Sequence, residues 1–187
     1  MNILTPLPAK AFPFDWVNLD YLPDSNASRF EVYLPDDTED DLKGLKELFD
    51  TLFGSIKDSI LIYDSHWGDF CLDSWNIHED SYDYTPEGKS AQTAVYLQML
   101  IDSDVAMGYS GSCSCHDWPF FLKTILDCVL THIALYSPVF YSEAHGLLFY
   151  FHHTGSIGFY FKNNNEAVKQ ILSTAKEKYD VRHLALL

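Results

Sequence analysis

Between Leu147 and Phe161 the chain alternates with period two on either side of His153-Thr154-Gly155-Ser156. That pattern predicts a β-hairpin with Leu147, Phe149, Phe151, Ile157, Phe159 and Phe161 on one face. The other face carries Leu148, Tyr150, His152, Gly158 and Tyr160. A face of six large apolar side chains is stable only when helices or a second sheet cover it, so the hairpin requires the remaining chain to supply a layer.

Helical periodicity supplies that layer. Leu42, Leu45, Leu48, Phe49, Leu52, Phe53 and Ile56 recur at helical spacing after Thr38 and Asp41, which resemble a capping box. The acids from Asp36 to Asp41 fall where a helix dipole favours negative charge, so they have a structural explanation. Asp117 is placed to cap a helix running to about Tyr136, with Pro119 in its first turn. Its apolar residues Phe121, Leu122, Ile125, Leu126, Val129, Leu130 and Ile133 leave only the narrow polar stripe Lys123, Asp127 and Thr131, which predicts a central core helix. A last helix spans about Asn165 to Lys178, and Ser90 to Ile101 reads as a further helix whose apolar residues fit neither period cleanly.

Arg29 to Leu34 alternates as a half-buried strand, Ser59 to Tyr63 reads as a buried one, and Val181 to Leu184 as an edge strand. Trp67 to Leu72 is a candidate hairpin partner for the second of these, weakened by Gly68, and Gly108 to Ser114 reads as a turn. Residues 1–28, rich in proline, are expected to lie irregularly along the surface. The order of elements predicts one α+β domain over residues 1–187, with a mixed, mainly antiparallel sheet packed with helices including one central apolar helix.

Composition then narrows function. At 187 residues, 47% apolar and 16% aromatic, the chain can bury a core without disulfides or metal. Cys71, Cys113, Cys115 and Cys128 are too few and too unevenly spaced for a disulfide framework, and Met1 to Trp16 lacks the basic start of a secretory signal, so a cytoplasmic protein with reduced thiols is expected. The longest stretch free of Asp, Glu, Lys and Arg, Ala144 to Phe161, holds three histidines and three glycines and is not a membrane span. The net charge of −15 is unevenly held: residues 1–87 carry 19 acids against 5 bases, residues 88–187 carry 8 against 7. Such a field repels nucleic acid and anionic membranes and speeds encounter with basic partners.

Several clusters carry reactive side chains. Cys113-Ser114-Cys115-His116, with Cys128 as a further donor, resembles half of a zinc site, but the paired second half is missing and the spacing is poor. A cysteine nucleophile at Cys113 or Cys115 beside His116 and Asp117 requires a depressed thiol pKa. Gly108-Tyr109-Ser110-Gly111-Ser112 approaches a serine-hydrolase elbow but places Ser112 where a glycine is needed, so it reads as a turn. His152 and His153 point to opposite faces of a strand and do not share a metal. No metal or cofactor is expected, although His152 with Tyr150 and Tyr160 forms a candidate recognition or acid/base face.

The stretch from Asp58 to Gly88 is the most informative, because it holds eight acids and no lysine or arginine. Its carboxylates are interleaved with Tyr63, Trp67, Phe70, Trp75, Tyr82 and Tyr84, and aromatic anchors among carboxylates suit docking on a basic protein surface. The candidate partner-binding residues are Asp64, Trp67, Asp69, Asp73, Trp75, Glu79, Asp80, Tyr82 and Asp83. With small size, acidity, reduced cysteines, the hairpin Phe149 to Phe161 and the preceding His116-Asp117-Trp118, the chain resembles bacterial toxin-immunity proteins such as those of contact-dependent inhibition systems. That resemblance implies a non-enzymatic inhibitor covering the active surface of a basic cognate toxin domain, such as a nuclease. Two other readings stay open at this point. One is a small cysteine- or zinc-dependent hydrolase centred on Cys113, Cys115 and His116; the other is a scaffold or accessory domain using the Tyr150/His152/Tyr160 face.

Overall fold

The computed structural model describes residues 2–184 and builds one sheet around the expected hairpin. Strands β8 (Leu147–His152) and β9 (Ser156–Phe161) pair with Phe149 opposite Phe159 and Phe151 opposite Ile157. Outward from β9 come β2 (Ser28–Tyr33) and then β10 (Asp180–Leu184) at one edge. Outward from β8 come β7 (Val139–Ser142), β3 (Leu61–Asp64), β6 (Gly111–Cys115) and finally β1 (Leu4–Pro6). Every neighbouring pair in this eight-stranded sheet is antiparallel. A separate two-stranded ribbon joins β4 (Trp75–Asn76) to β5 (Ser81–Tyr82).

Four helices form the second layer: α1 (Asp41–Phe53), α2 (Ala91–Asp102), α3 (Trp118–Leu130) and α4 (Glu166–Lys178). They meet the apolar face of the hairpin, and the rings of Phe53 and Phe149 stack with centroids 3.8 Å apart. Phe49, Phe121, Phe140, Phe151 and Phe159 complete this main core. The result is a single α+β domain.

Each helix starts on a side-chain cap. Asp40, not Thr38, caps α1 by accepting the Lys43 N–H at 2.9 Å, while Ser90, Asp117 and Asn165 cap α2, α3 and α4. The ambiguous pattern of α2 has a simple cause, since Val95 and Ile101 face outward while Tyr96, Leu97, Met99 and Leu100 are buried. Helix α3 packs against both α1 and α2 but ends at Leu130, short of the expected Tyr136. His132 turns left-handed there, at φ 59°, and the Ile133 and His132 N–H groups return to the Cys128 and Val129 carbonyls at 2.9 and 3.1 Å. This is a Schellman termination with histidine where glycine is usual.

Three further expectations need correction. Residues 1–28 are not merely draped over the surface: Leu4–Pro6 adds strand β1, and Phe12, Phe14 and Trp16 cover the second face of the sheet. The segment Gly108 to Ser114 is not only a turn, because Gly111–Cys115 is strand β6, held between β1 and β3. Trp67 to Leu72 is not a strand. It contains a 3-10 turn at Trp67–Asp69, and a second follows at Leu72–Ser74. A side chain at position 68 would put its Cβ 2.7 Å from the Met107 carbonyl oxygen, so only glycine lets the segment approach there.

Candidate protein-binding surface

Strands β3 and β6 are neighbours in the sheet yet 46 residues separate Asp64 from Gly111, which pair across it. The chain therefore leaves the sheet at Asp64, makes the base-free excursion and α2, and returns at Gly111. Its entry is stitched to its exit by the Trp67 and Gly68 N–H groups, which donate to the Tyr109 and Met107 carbonyls at 3.2 and 3.0 Å. Trp67 is fully buried, at 0% exposure. Its Nε1 donates to the Gly111 carbonyl at 2.9 Å, and its own carbonyl accepts the Tyr96 hydroxyl at 2.8 Å. The expectation of Trp67 as an exposed anchor is thus overturned: it fastens the excursion to the core.

The carboxylates near it are likewise engaged inside the molecule. Asp64, half-buried at the end of β3, accepts the His66 N–H at 2.8 Å. Burial pushes its carboxyl up to about 6, against the lowering effect of that hydrogen bond. Asp69 accepts the Tyr84 hydroxyl at 2.6 Å, and burial together with this carboxylate raises the Tyr84 phenol to about 12. Asp73 accepts the Ser90 N–H at 3.0 Å and the Thr93 hydroxyl, bracing the start of α2. Burial acts to raise the Asp73 carboxyl, but the bonds from Thr93 and Ser90 together prevail and hold it below the ordinary range. These three residues are therefore poorly placed to greet a partner.

From Trp75 onward the arrangement reverses. Trp75 and Tyr82 lie opposite each other in the β4–β5 ribbon, rings edge-on at 4.9 Å, and each is 42% exposed. Ile77, at the ribbon's tip, is 79% exposed, and Leu72 just before the ribbon is also exposed. Glu79 and Asp80 stand in solvent beside them, Asp80 in a left-handed conformation at φ 49° that closes the turn. Asp83 is different again. It accepts the Thr85 N–H at 2.9 Å and pairs with Lys89 at 3.1 Å, and these partners, Thr85 first, hold its carboxyl down at about 2. The base-free stretch in sequence is therefore not wholly base-free in space, because the lysine that ends it folds back.

Of the nine expected residues, the structure brings Trp75, Glu79, Asp80 and Tyr82 together on one exposed ribbon. Asp83 lies at its base, and Asp64, Trp67, Asp69 and Asp73 serve the interior. Leu72 and Ile77 were not expected; as single aliphatic residues in a polar stretch they carry no periodic signal that marks exposure.

The other clusters separate. Cys113 and Cys115 alternate onto the helix-facing side of β6, where burial pushes both thiols up to about 12, which disfavours a thiolate nucleophile. His116 is exposed, with its Nε2 2.9 Å from the Thr5 hydroxyl. Cys128 lies 3.8 Å from Cys71, sulfur to sulfur, not over the Cys113–Cys115 strand. Among the described residues no group of three His, Cys, Asp or Glu side chains is placed to hold a metal ion. Tyr150 and Tyr160 are buried, so the face they share with the half-buried His152 is not an open recognition surface. Glycine at 158 lets the Tyr150 ring lie flat on the sheet, since a Cβ there would meet ring carbons at 2.7 Å. No helix among the described residues is long and apolar enough to cross a membrane.

Compared with known proteins, the chain matches no family model, no curated protein and no solved structure.

Proposed function

We propose that the chain is a cytoplasmic protein-binding module that docks on a basic protein partner through the β4–β5 ribbon, in the manner of the toxin-immunity inhibitors it resembles. One observation carries this reading: Trp75 and Tyr82 form an exposed aromatic pair on the same short ribbon as Ile77, Glu79 and Asp80. Exposed apolar residues gathered in one place and edged by charge mark interaction sites more often than free surface. Rings fill pockets and supply most of the binding energy, while flanking carboxylates steer a basic partner into register. The field of the first half, −14 of the net −15, acts over a longer range in the same sense. A nuclease-type toxin, whose active surface is built for phosphates, has the complementary charge. No chemical step is assigned to the chain itself.

The test is kinetic and uses the partner recovered from the native host by affinity capture. The Glu79→Lys/Asp80→Lys variant should slow association roughly tenfold at low salt, with the difference shrinking as screening rises. The Trp75→Ala/Tyr82→Ala variant should instead speed dissociation, roughly a hundredfold. Unchanged rates in both variants, or a partner that proves acidic, would sink the proposal.

A further inference from the structure

The β10 edge of the sheet holds a pair of cations that line one cleft. Only five of the chain's lysines and arginines fall in its first 87 residues, yet Arg29 makes no ion pair there or elsewhere among the described residues. Lys162 makes none either. Both line an open cleft of about 380 Å³, together with Asn26, Ser28 and His183, where β2 begins and β10 ends beside the segment that covers the back of the sheet.

The Arg29 guanidinium lies over the ring of Tyr160, its cross-strand neighbour, 5.5 Å from the centroid. Its Nε is buried with no hydrogen-bond partner, and so is the Tyr160 hydroxyl; among the described residues these are the two side-chain polar atoms in that condition. Buried donors are nearly always satisfied, and leaving one on a charged group unsatisfied is costly. Lys162 donates one hydrogen bond, to the Asn26 carbonyl at 2.8 Å, which leaves two ammonium protons to give. Acids lie nearby without neutralising the pair. The Glu31 carboxylate accepts the Ser156 hydroxyl at 2.7 Å, and Asp15 and Asp24 line a neighbouring cleft that shares Asn26 and Lys162.

We infer that this cleft binds a small phosphate-type oxyanion, with the Arg29 guanidinium supplying a forked donor and the Lys162 ammonium a point charge. A guanidinium matches two oxygens of a tetrahedral oxyanion at once, and two adjacent cations suit a doubly charged group better than a single carboxylate. The cleft is too small, and the surrounding field too negative, for a nucleic acid. The surrounding acids weaken the site, so saturation is expected at millimolar phosphate. This inference is independent of the ribbon reading.

Inorganic phosphate and glycerol phosphate, each titrated into the intact chain at constant ionic strength, provide the test, with the Arg29 Nε–H and Lys162 Nζ resonances as readouts. Saturable shifts of both are expected from at least one probe, and the tighter probe distinguishes free phosphate from a phosphate monoester as the source. Arg29→Gln should weaken binding roughly tenfold, the loss of one charge-assisted contact. The exposed Lys162→Gln, which leaves the sheet untouched, should weaken it by a similar factor. Shifts that drift linearly and match those from sodium chloride, or binding undiminished in both variants, would overturn the inference.

Discussion

Residues 64–74 and 75–83 are alike in composition, each mixing aromatic rings with carboxylates and neither containing a lysine or arginine, yet they meet opposite fates. In the first, Trp67 is in the core and Asp64, Asp69 and Asp73 bond to His66, Tyr84, Ser90 and Thr93. In the second, Trp75 and Tyr82 face solvent on a two-stranded ribbon beside Glu79 and Asp80. The first half lies within reach of α2, α3 and the sheet: the Leu72 N–H donates to the Ile133 carbonyl at 2.7 Å, and Cys71 lies beside Cys128. The second half pairs chiefly with itself. Residue type alone does not decide between scaffold and surface; the availability of buried backbone partners does.

The sharpest way to break the comparison is Trp67→Ala. Removing a fully buried indole and leaving the Gly111 carbonyl without its donor should cost about 3–5 kcal/mol, read by urea unfolding. A loss under about 1 kcal/mol would mean that Trp67 is not the fastening it is taken to be, and that the two halves are alike after all.

Asp64 tests the same half through pH. Its carboxyl is raised from 3.8 to about 6 in the folded chain, so the folded state favours the protonated form. The stability this proton confers is present at low pH and lost as pH climbs from about 4 through 6. Asp64→Asn keeps an oxygen for the His66 N–H and removes the charge. It should raise stability at pH 7 by about 1–2 kcal/mol and flatten the pH profile between 4 and 7. Partner association should not change, since Asp64 is half-buried and away from the ribbon. A variant that binds more weakly while unfolding like the parent would return Asp64 to the surface.

How much of this was legible in the sequence follows the same division. The hairpin, the Asp117 cap and the last helix were legible because they rest on local alternation and short-range hydrogen bonding. The end of α3 was not, because the left-handed position falls on His132 and no glycine marks it. Strand β6 was hidden in Gly-Ser-Cys-Ser-Cys, residues of weak strand preference that become a strand only because β1 and β3 pair with them on both sides. The burial of Tyr150 and Tyr160 depends on Phe12, Phe14 and Trp16 returning across more than 130 residues of chain. For the candidate site, aromatic and acidic content pointed to the stretch that holds the exposed ribbon; which rings turn inward depends on the Trp67 contacts to Tyr96 and Gly111, which no periodicity encodes.

The outward half has its own conformational test. Asp80 holds a left-handed φ of 49° in the turn between β4 and β5, where glycine carries no steric penalty. Asp80→Gly should therefore stabilise the chain by about 0.5 kcal/mol, a modest gain because aspartate tolerates this region better than most residues. Asp80→Asn retains the geometry and loses the charge. If both variants associate more slowly with the partner, the charge matters; if only the glycine variant changes, the ribbon's shape does.

Trp75→Ala is expected to have the smallest effect on stability and so completes the contrast with Trp67. Trp75 touches Tyr82 edge-on but is 42% exposed and packs into neither core cluster. Because it stands outside both cores its truncation leaves no cavity there, and the unfolding free energy should stay within about 0.5 kcal/mol of the parent. One tryptophan then measures as scaffold and the other as surface in a single assay, before any partner is in hand. A loss of 2 kcal/mol or more at Trp75 would show the ribbon to be an integral layer of the fold, and the exposed ring pair would no longer support docking.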